Sequence, residues 1–203
     1  MKLYYVPGAC SLAPHIVATE AGLPLDIVKV DLATHRLEDG TDYRTISKRG
    51  YVPLLELDDG RRLTETAVLV QVLADMAPES GLLPPAGSRE RVEVQSWLSF
   101  VATELHKTFS PWLWHKETHE STRHTAKEML ATRFQELDEV LSDRPYLTGE
   151  TFTVADAYAF TILGWCQYLN IHLDPYPHLK AFQARVAARP KVLATLRAEG
   201  LVA

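Results

Sequence analysis

One sulfur stands where it could react. Cys10 lies in Tyr5-Val6-Pro7-Gly8-Ala9-Cys10-Ser11-Leu12-Ala13-Pro14-His15. A β-type run, Lys2–Val6, ends there at Pro7-Gly8, and a helical pattern begins near Ser11. Pro14 fits a first turn, whose N–H groups have no intrahelical partner. The aligned peptide dipoles of such a helix put partial positive charge beside the sulfur, so the expectation is a lowered thiol pKa and a nucleophile near neutral pH. Ala13 stands where a dithiol oxidoreductase would have its second cysteine. Internal disulfide chemistry is therefore excluded here, whereas a mixed disulfide with an external thiol is not. Tyr5 and Ser11 bring nearby hydroxyls that rank below Cys10. The other cysteine, Cys166, falls in an apolar helical run and reads as a buried, inert thiol.

The elements that must position this sulfur alternate over the first third of the chain. After Lys2–Val6, a helix spans Ser11–Ala21, stopped by Gly22 and Pro24. Leu25–Val30 is a second strand, and Asp31–Lys48 is polar and irregular. Leu54–Leu57 and Arg62–Thr64 flank the turn signal Asp58-Asp59-Gly60. A helix from about Glu65 to Met76 carries Val68, Leu69, Val72 and Leu73 as its apolar stripe. Pro78–Gly87 holds three prolines and two glycines and reads as a linker. Beyond it there are only helices. Ser88–Lys107 places Val94, Trp97, Leu98, Val101 and Leu105 on one face, with Pro111 as its break. Thr122–Leu141 follows. Thr153-Val154-Ala155-Asp156 is a capping box with Asp in the place of Glu, opening a helix to about Leu169. Short helices near His178–Ala188 and Lys191–Glu199 close the chain. The pattern is α+β followed by all-α: residues 1–78, a linker at 79–87, and a helical domain at 88–203.

The totals narrow the classes. The 203 residues suffice for a substantial core, and 46% hydrophobic with 23% charged residues is ordinary for a globular chain. A net charge of −5 argues against a general nucleic-acid binder. No apolar run approaches the roughly 18 residues a membrane span needs. Two lone cysteines point to free thiols in a reducing, cytoplasmic context. No resident cofactor and no metal are expected.

Several further residues admit two readings. Val52-Pro53 fits a trans proline entering an edge strand. Glu65-Thr66, after Thr64, fits a helix start in which Thr64 caps and Glu65 complements the dipole. Ser99, Thr103, His106 and Ser110 form a polar face that could simply be solvated. Phe109, Trp112, Trp114, Trp165 and Tyr168 could pack a core or wall an apolar pocket.

The layout and the ordered local blocks resemble the cytosolic glutathione transferases, in particular the bacterial beta class. The blocks are the N-terminal Met-Lys-Leu-Tyr-Tyr with Pro7-Gly8-Ala9-Cys10-Ser11-Leu12; Val52-Pro53; Leu63-Thr64-Glu65; Ala102-Thr103-Glu104-Leu105-His106-Lys107; and Phe152-Thr153-Val154-Ala155-Asp156-Ala157-Tyr158. The resemblance implies a thioredoxin-like first domain with a cis Val52-Pro53 bond, leaving the Val52 backbone to pair with the cysteinyl part of glutathione. It implies that Thr66 and the free N–H groups hold the γ-glutamyl carboxylate while Glu65 meets the ammonium. It implies that Ser99 and Thr103 to His106, Glu104 included, line the glutathione site, some of them across a homodimer interface. His106 then orients or polarises the glutathione thiol as a hydrogen-bond partner or base, with Lys107 adding positive charge. The five aromatic residues become walls of a second-substrate pocket.

Three positions depart from the family pattern. His35 stands where Lys is usual, so the charge meeting the glycyl carboxylate becomes pH-dependent. Ser99 replaces Asn, and Tyr51 stands where Gln is common. The implied function is conjugation of the glutathione thiolate to small apolar electrophiles, with glutathione as co-substrate, together with thiol–disulfide exchange through Cys10. The competing readings are a non-catalytic binding or assembly module on the same fold, and a specialised glutathione-dependent dehalogenase or isomerase.

Overall fold

The computed structural model describes all residues, Met1–Ala203. Five strands form one sheet: β1 (Lys2–Tyr5), β2 (Asp26–Asp31), β3 (Arg36–Leu37), β4 (Leu54–Glu56) and β5 (Arg62–Thr64), in the order β3-β2-β1-β4-β5. β1 runs parallel to β2 and antiparallel to β4; β2–β3 and β4–β5 are antiparallel. The crossover between the parallel pair is α1 (Leu12–Ala21), which ends on Gly22 in the left-handed region. A second helix, α2 (Thr66–Asp75), follows β5 and packs against α1. This is the thioredoxin-like layer. The two-residue β3 lies within the segment expected to be irregular; it is an edge strand held by pairing with Val30 and Asp31. On α2 the expected stripe is rotated: Leu69, Val70 and Leu73 are buried, whereas Val68 faces solvent.

The helical domain comprises α3 (Arg89–Phe100), α4 (Lys107–Phe109), α5 (Glu120–Val140), α6 (Val154–Leu163), α7 (Pro177–Ala187) and α8 (Pro190–Ala198). Two departures from the expected helices matter. The Ser88–Lys107 helix is not uniformly α: residues Val101–His106 form a π-helical turn, which shifts the register of everything after Phe100. The α6 helix does not reach Leu169; it stops at Leu163 and continues as a 3₁₀ segment, Gly164–Tyr168. No helix is long and apolar enough to cross a membrane.

The two domains share one core. A single cluster of 43 buried residues runs from Leu3 through α1, α2, α3, α5 and α6 to Leu196, so no solvent layer separates the sheet from the helices. At about 25 cal/mol per Å² of apolar surface, such a continuous core fixes the helical domain rigidly against the Pro7–His15 turn. α1, which begins just after Cys10, packs against α2, α6 and α8.

Candidate active site

The Cys10 turn is built from backbone bonds and one hydroxyl. Ala9 N–H donates to Val6 O (3.0 Å), and Leu12 N–H to Ala9 O (2.9 Å). Ser11 Oγ bridges the two ends: it accepts from Val6 N–H and donates to Val6 O, both at 3.2 Å. Ser11 is wholly buried, so its hydroxyl is committed to the turn rather than free for chemistry. Burial and the Glu199 and Glu38 carboxylates push the Tyr5 phenol up, which keeps it protonated.

Cys10 precedes α1, as the sequence suggests, and its Sγ–H points at Val52 O, 3.4 Å away, beside a cis Val52-Pro53 bond. The expected low thiol pKa is overturned. Burial pushes the thiol up to about 11, against smaller lowering effects from the Thr66 hydroxyl and the Cys10 and Ser11 backbone amides. The helix terminus is present, but the sulfur has lost more hydration than the dipole returns. Cys10 is therefore a neutral hydrogen-bond donor at pH 7. Cys166 is also free; it is buried, and burial raises its pKa to about 12.

The N-terminus of α2 faces the same place. Its N-cap is Glu65, not Thr64: Glu65 O accepts from Val68 and Leu69 N–H, both at 2.9 Å. Glu65 holds φ +70°, ψ 110°, a conformation costing a non-glycine residue about 1–3 kcal/mol. Its side chain does not cap the helix; it reaches into solvent and pairs with Arg49 at 2.8 Å. The first amides of α2 are thus left without a side-chain cap. Thr66 is buried, and its hydroxyl acts to lower the pKa of both the Cys10 thiol and the Tyr158 phenol against the raising effect of burial.

His106 ends the π turn, and its Nδ1 lies 2.6 Å from Tyr158 Oη. Its ring stands edge-on to Trp165, with centroids 5.1 Å apart. Burial, aided by the Lys107 charge, lowers its pKa to about 4, so the imidazole is neutral at pH 7. A base of that strength leaves a thiol proton where it was. Of the two roles expected for His106, hydrogen-bond partner fits and proton acceptor does not.

Other expected residues fall as follows. His35 sits in the left-handed region at φ +53°, with its ring against Gly50; a Cβ on Gly50 would lie 2.7 Å from His35 Nδ1. That Nδ1 is buried against Gly50 and has no hydrogen-bond partner. Ser99 and Thr103 are exposed on the outer side of the long helix, and Thr103 Oγ1 donates to Ser99 O. Glu104 is engaged by Arg133 of α5 at 2.8 Å. Trp114, Trp165 and Tyr168 form one aromatic group beside His106, with Trp114–Trp165 centroids 5.8 Å apart. Phe109 does not join its surface: at 0% exposure it packs in the core between Phe134 and Trp165. Trp112 turns away to line a separate depression of about 280 Å³ with Thr108, Thr125 and Met129. The Ser110-Pro111 peptide bond between them is cis.

The residue that motif reasoning passed over is Tyr158. It closes the Phe152–Tyr158 motif, whose capping box draws attention to the other end. Its signal in the sequence is weak but real: a phenol in an otherwise apolar helix needs a hydrogen-bond partner once buried. Burial, with the nearby Cys10 thiol adding to it, pushes its pKa up, so the phenol stays protonated between His106 and Thr66.

A thioredoxin-like sheet, a cis-proline beside a lone cysteine, and an uncapped helix start under an all-helical domain define a glutathione-transferase-type protein. Family models agree over both domains: the glutathione S-transferase N-terminal domain matches residues 8–76 and the C-terminal domain residues 100–190. The chain belongs to the glutathione S-transferase family, and within it to the bacterial beta class. It is 45% identical to glutathione S-transferase GstA of Escherichia coli O157:H7 over 201 residues, covering 99% of this chain and 100% of that one. The ternary complex of BphK, a bacterial transferase, superposes with TM-score 0.96 at 49% identity, covering 99% of this chain and 100% of that one. The beta-class enzyme of Sphingomonas chungbukensis gives 0.95 at 43% identity, and a sphingomonad transferase complexed with glutathione gives 0.94 at 43%; both cover 100% of each chain.

Proposed function

We propose that the protein conjugates the thiol of glutathione to small apolar electrophiles, and that it catalyses a slower glutathione-dependent disulfide exchange through Cys10. The observation that carries this reading is the convergence of Cys10 Sγ, Val52 O, the uncapped start of α2 and the His106–Tyr158 pair. Glutathione docks as an extended peptide along Val52-Pro53. Its γ-glutamyl carboxylate takes the Thr66 hydroxyl and the free α2 amides, and its ammonium takes Glu65. The glycyl carboxylate meets the His35 side chain, which stands where the family usually has Lys. Ser99 and Thr103, exposed in one protomer, serve the neighbouring site of a homodimer.

In conjugation the glutathione sulfur is the nucleophile. It gives up its proton to solvent, forms an S–C bond with the electrophile, and the leaving group departs with its electron pair. Neutral Cys10 donates a hydrogen bond to that sulfur, and neutral His106 adds another, stabilising the thiolate without taking the proton. Trp114, Trp165 and Tyr168 offer the apolar electrophile a wall. In exchange, the Cys10 thiolate attacks the glutathionyl sulfur of a mixed disulfide between glutathione and another thiol, and that thiol leaves as its thiolate. A glutathione thiolate then attacks the Cys10–glutathione disulfide, releasing oxidised glutathione and the Cys10 thiolate. The two free cysteines support a reducing, cytoplasmic setting.

The test is turnover of a chloronitrobenzene-type electrophile with glutathione, together with retention on immobilised glutathione. Turnover that survives Cys10→Ala, with loss of the glutathione adduct by mass spectrometry, is the expected pattern. Retention without turnover of any electrophile in a broad screen would leave a binding module instead.

A further inference from the structure

We propose that Glu199 and Trp165 are positioning residues that hold the Cys10 turn from across the domain boundary, each by one backbone group of Gly8. Glu199 follows α8, 191 positions after Gly8, yet its Oε2 accepts Gly8 N–H at 2.9 Å. On the other side of the same residue, Trp165 Nε1–H donates to Gly8 O at 2.8 Å. Both polar groups of one glycine, two residues before Cys10, are thus held by side chains of the helical domain.

Other features show that this is a built arrangement. The Glu199 side chain is fully buried, and its second oxygen meets His15 Nδ1, also at 2.8 Å, so one carboxylate ties the turn to α1. Gly8 has φ +71°, a backbone angle that favours glycine, and a Cβ there would press on Leu201 Cδ2 at 3.3 Å. Trp165 also stands edge-on to His106 at 5.1 Å. One indole therefore sets the imidazole and the Cys10 turn relative to each other. A misplacement of about 1 Å between reacting groups can cost about a hundredfold in rate, which makes a shared anchor consequential. The positioning of glutathione rests on the transferase reading above; the positioning of Cys10 does not.

The experiment uses the full chain and two readouts. One is the rate of Cys10 alkylation by iodoacetamide, followed by peptide mass spectrometry. The other is kcat and KM for glutathione. Glu199→Gln keeps size but removes one acceptor and the charge; Trp165→Phe keeps a ring but removes the donor. Val192→Ala, a core truncation in α8 away from Gly8, serves as the stability control. The expected result is a change of about tenfold in Cys10 alkylation in both clamp variants, a raised KM for glutathione, and Val192→Ala within about twofold of wild type despite a lowered Tm. Alkylation rates in the clamp variants equal to those of wild type or Val192→Ala overturn the proposal. If wild type turns over no electrophile, the transferase reading falls while the alkylation comparison still decides the clamp.

Discussion

The start of α2 and the start of α6 are built to opposite ends. At α6, the side chains bond internally: Asp156 is fully buried and accepts Leu147 N–H and Thr153 N–H, both at 2.8 Å, and the Thr153 hydroxyl at 2.9 Å. At α2, the N-cap residue Glu65 sits in a strained conformation, its side chain makes no cap, and it points into solvent toward Arg49. The fully capped terminus serves folding. The uncapped one leaves its first amides free of a side-chain partner, and in the proposed reading they meet an anion.

The comparison can be broken by mutation, beginning with the largest effect. Asp156→Ala leaves two buried N–H groups unpaired and should cost about 3 kcal/mol or more, lowering Tm by roughly 6–12 °C in thermal unfolding. Glutathione affinity of the folded fraction should hardly change; if it falls with stability, the two helix starts are not functionally separate. Thr66→Val is the converse. It should weaken glutathione binding by about tenfold, near 1.4 kcal/mol by calorimetry, while Tm stays within a few degrees.

The Cys10 thiol sharpens the contrast between a helix start that activates and one that only positions. With its pKa raised to about 11, the thiolate fraction at pH 7 is about one in ten thousand. Adduct formation with oxidised glutathione should therefore climb about tenfold per pH unit from pH 7 to about 10. A plateau below pH 8 would restore the activated-cysteine expectation. The smallest effect is at the exposed Glu65–Arg49 pair, with side chains 66% and 71% exposed. Arg49→Ala should change stability by less than about 0.5 kcal/mol, since solvent and salt screen such pairs.

Where a local rule applies, the chain could be read from its residues. Gly22 and Pro24 mark the end of α1, Asp58-Asp59-Gly60 joins β4 to β5, and Thr153 with Asp156 opens α6. Those features depend on contacts within a few residues. The π turn at Val101–His106 has no comparable local signature. It places His106 against Tyr158, 52 positions away, and a periodicity argument continues straight through it. The fate of the aromatic residues was equally illegible. Trp114 and Trp165 join the site, whereas Phe109 and Trp112, of similar composition and nearly adjacent, go to the core and to another surface.

By itself, the sequence determined the order of elements, the lone sulfur before α1, the absence of a second cysteine to pair with it at Ala13, and the ordered blocks of the beta class. Only the tertiary structure decided the state of that sulfur. Desolvation depends on what packs over a group, and here it outweighs the helix terminus and keeps the thiol protonated. The fold likewise decided which distant residues hold the turn. Glu199 and Gly8 carry no mark of each other in the chain, because a buried carboxylate finds its donors through the shared core rather than through spacing.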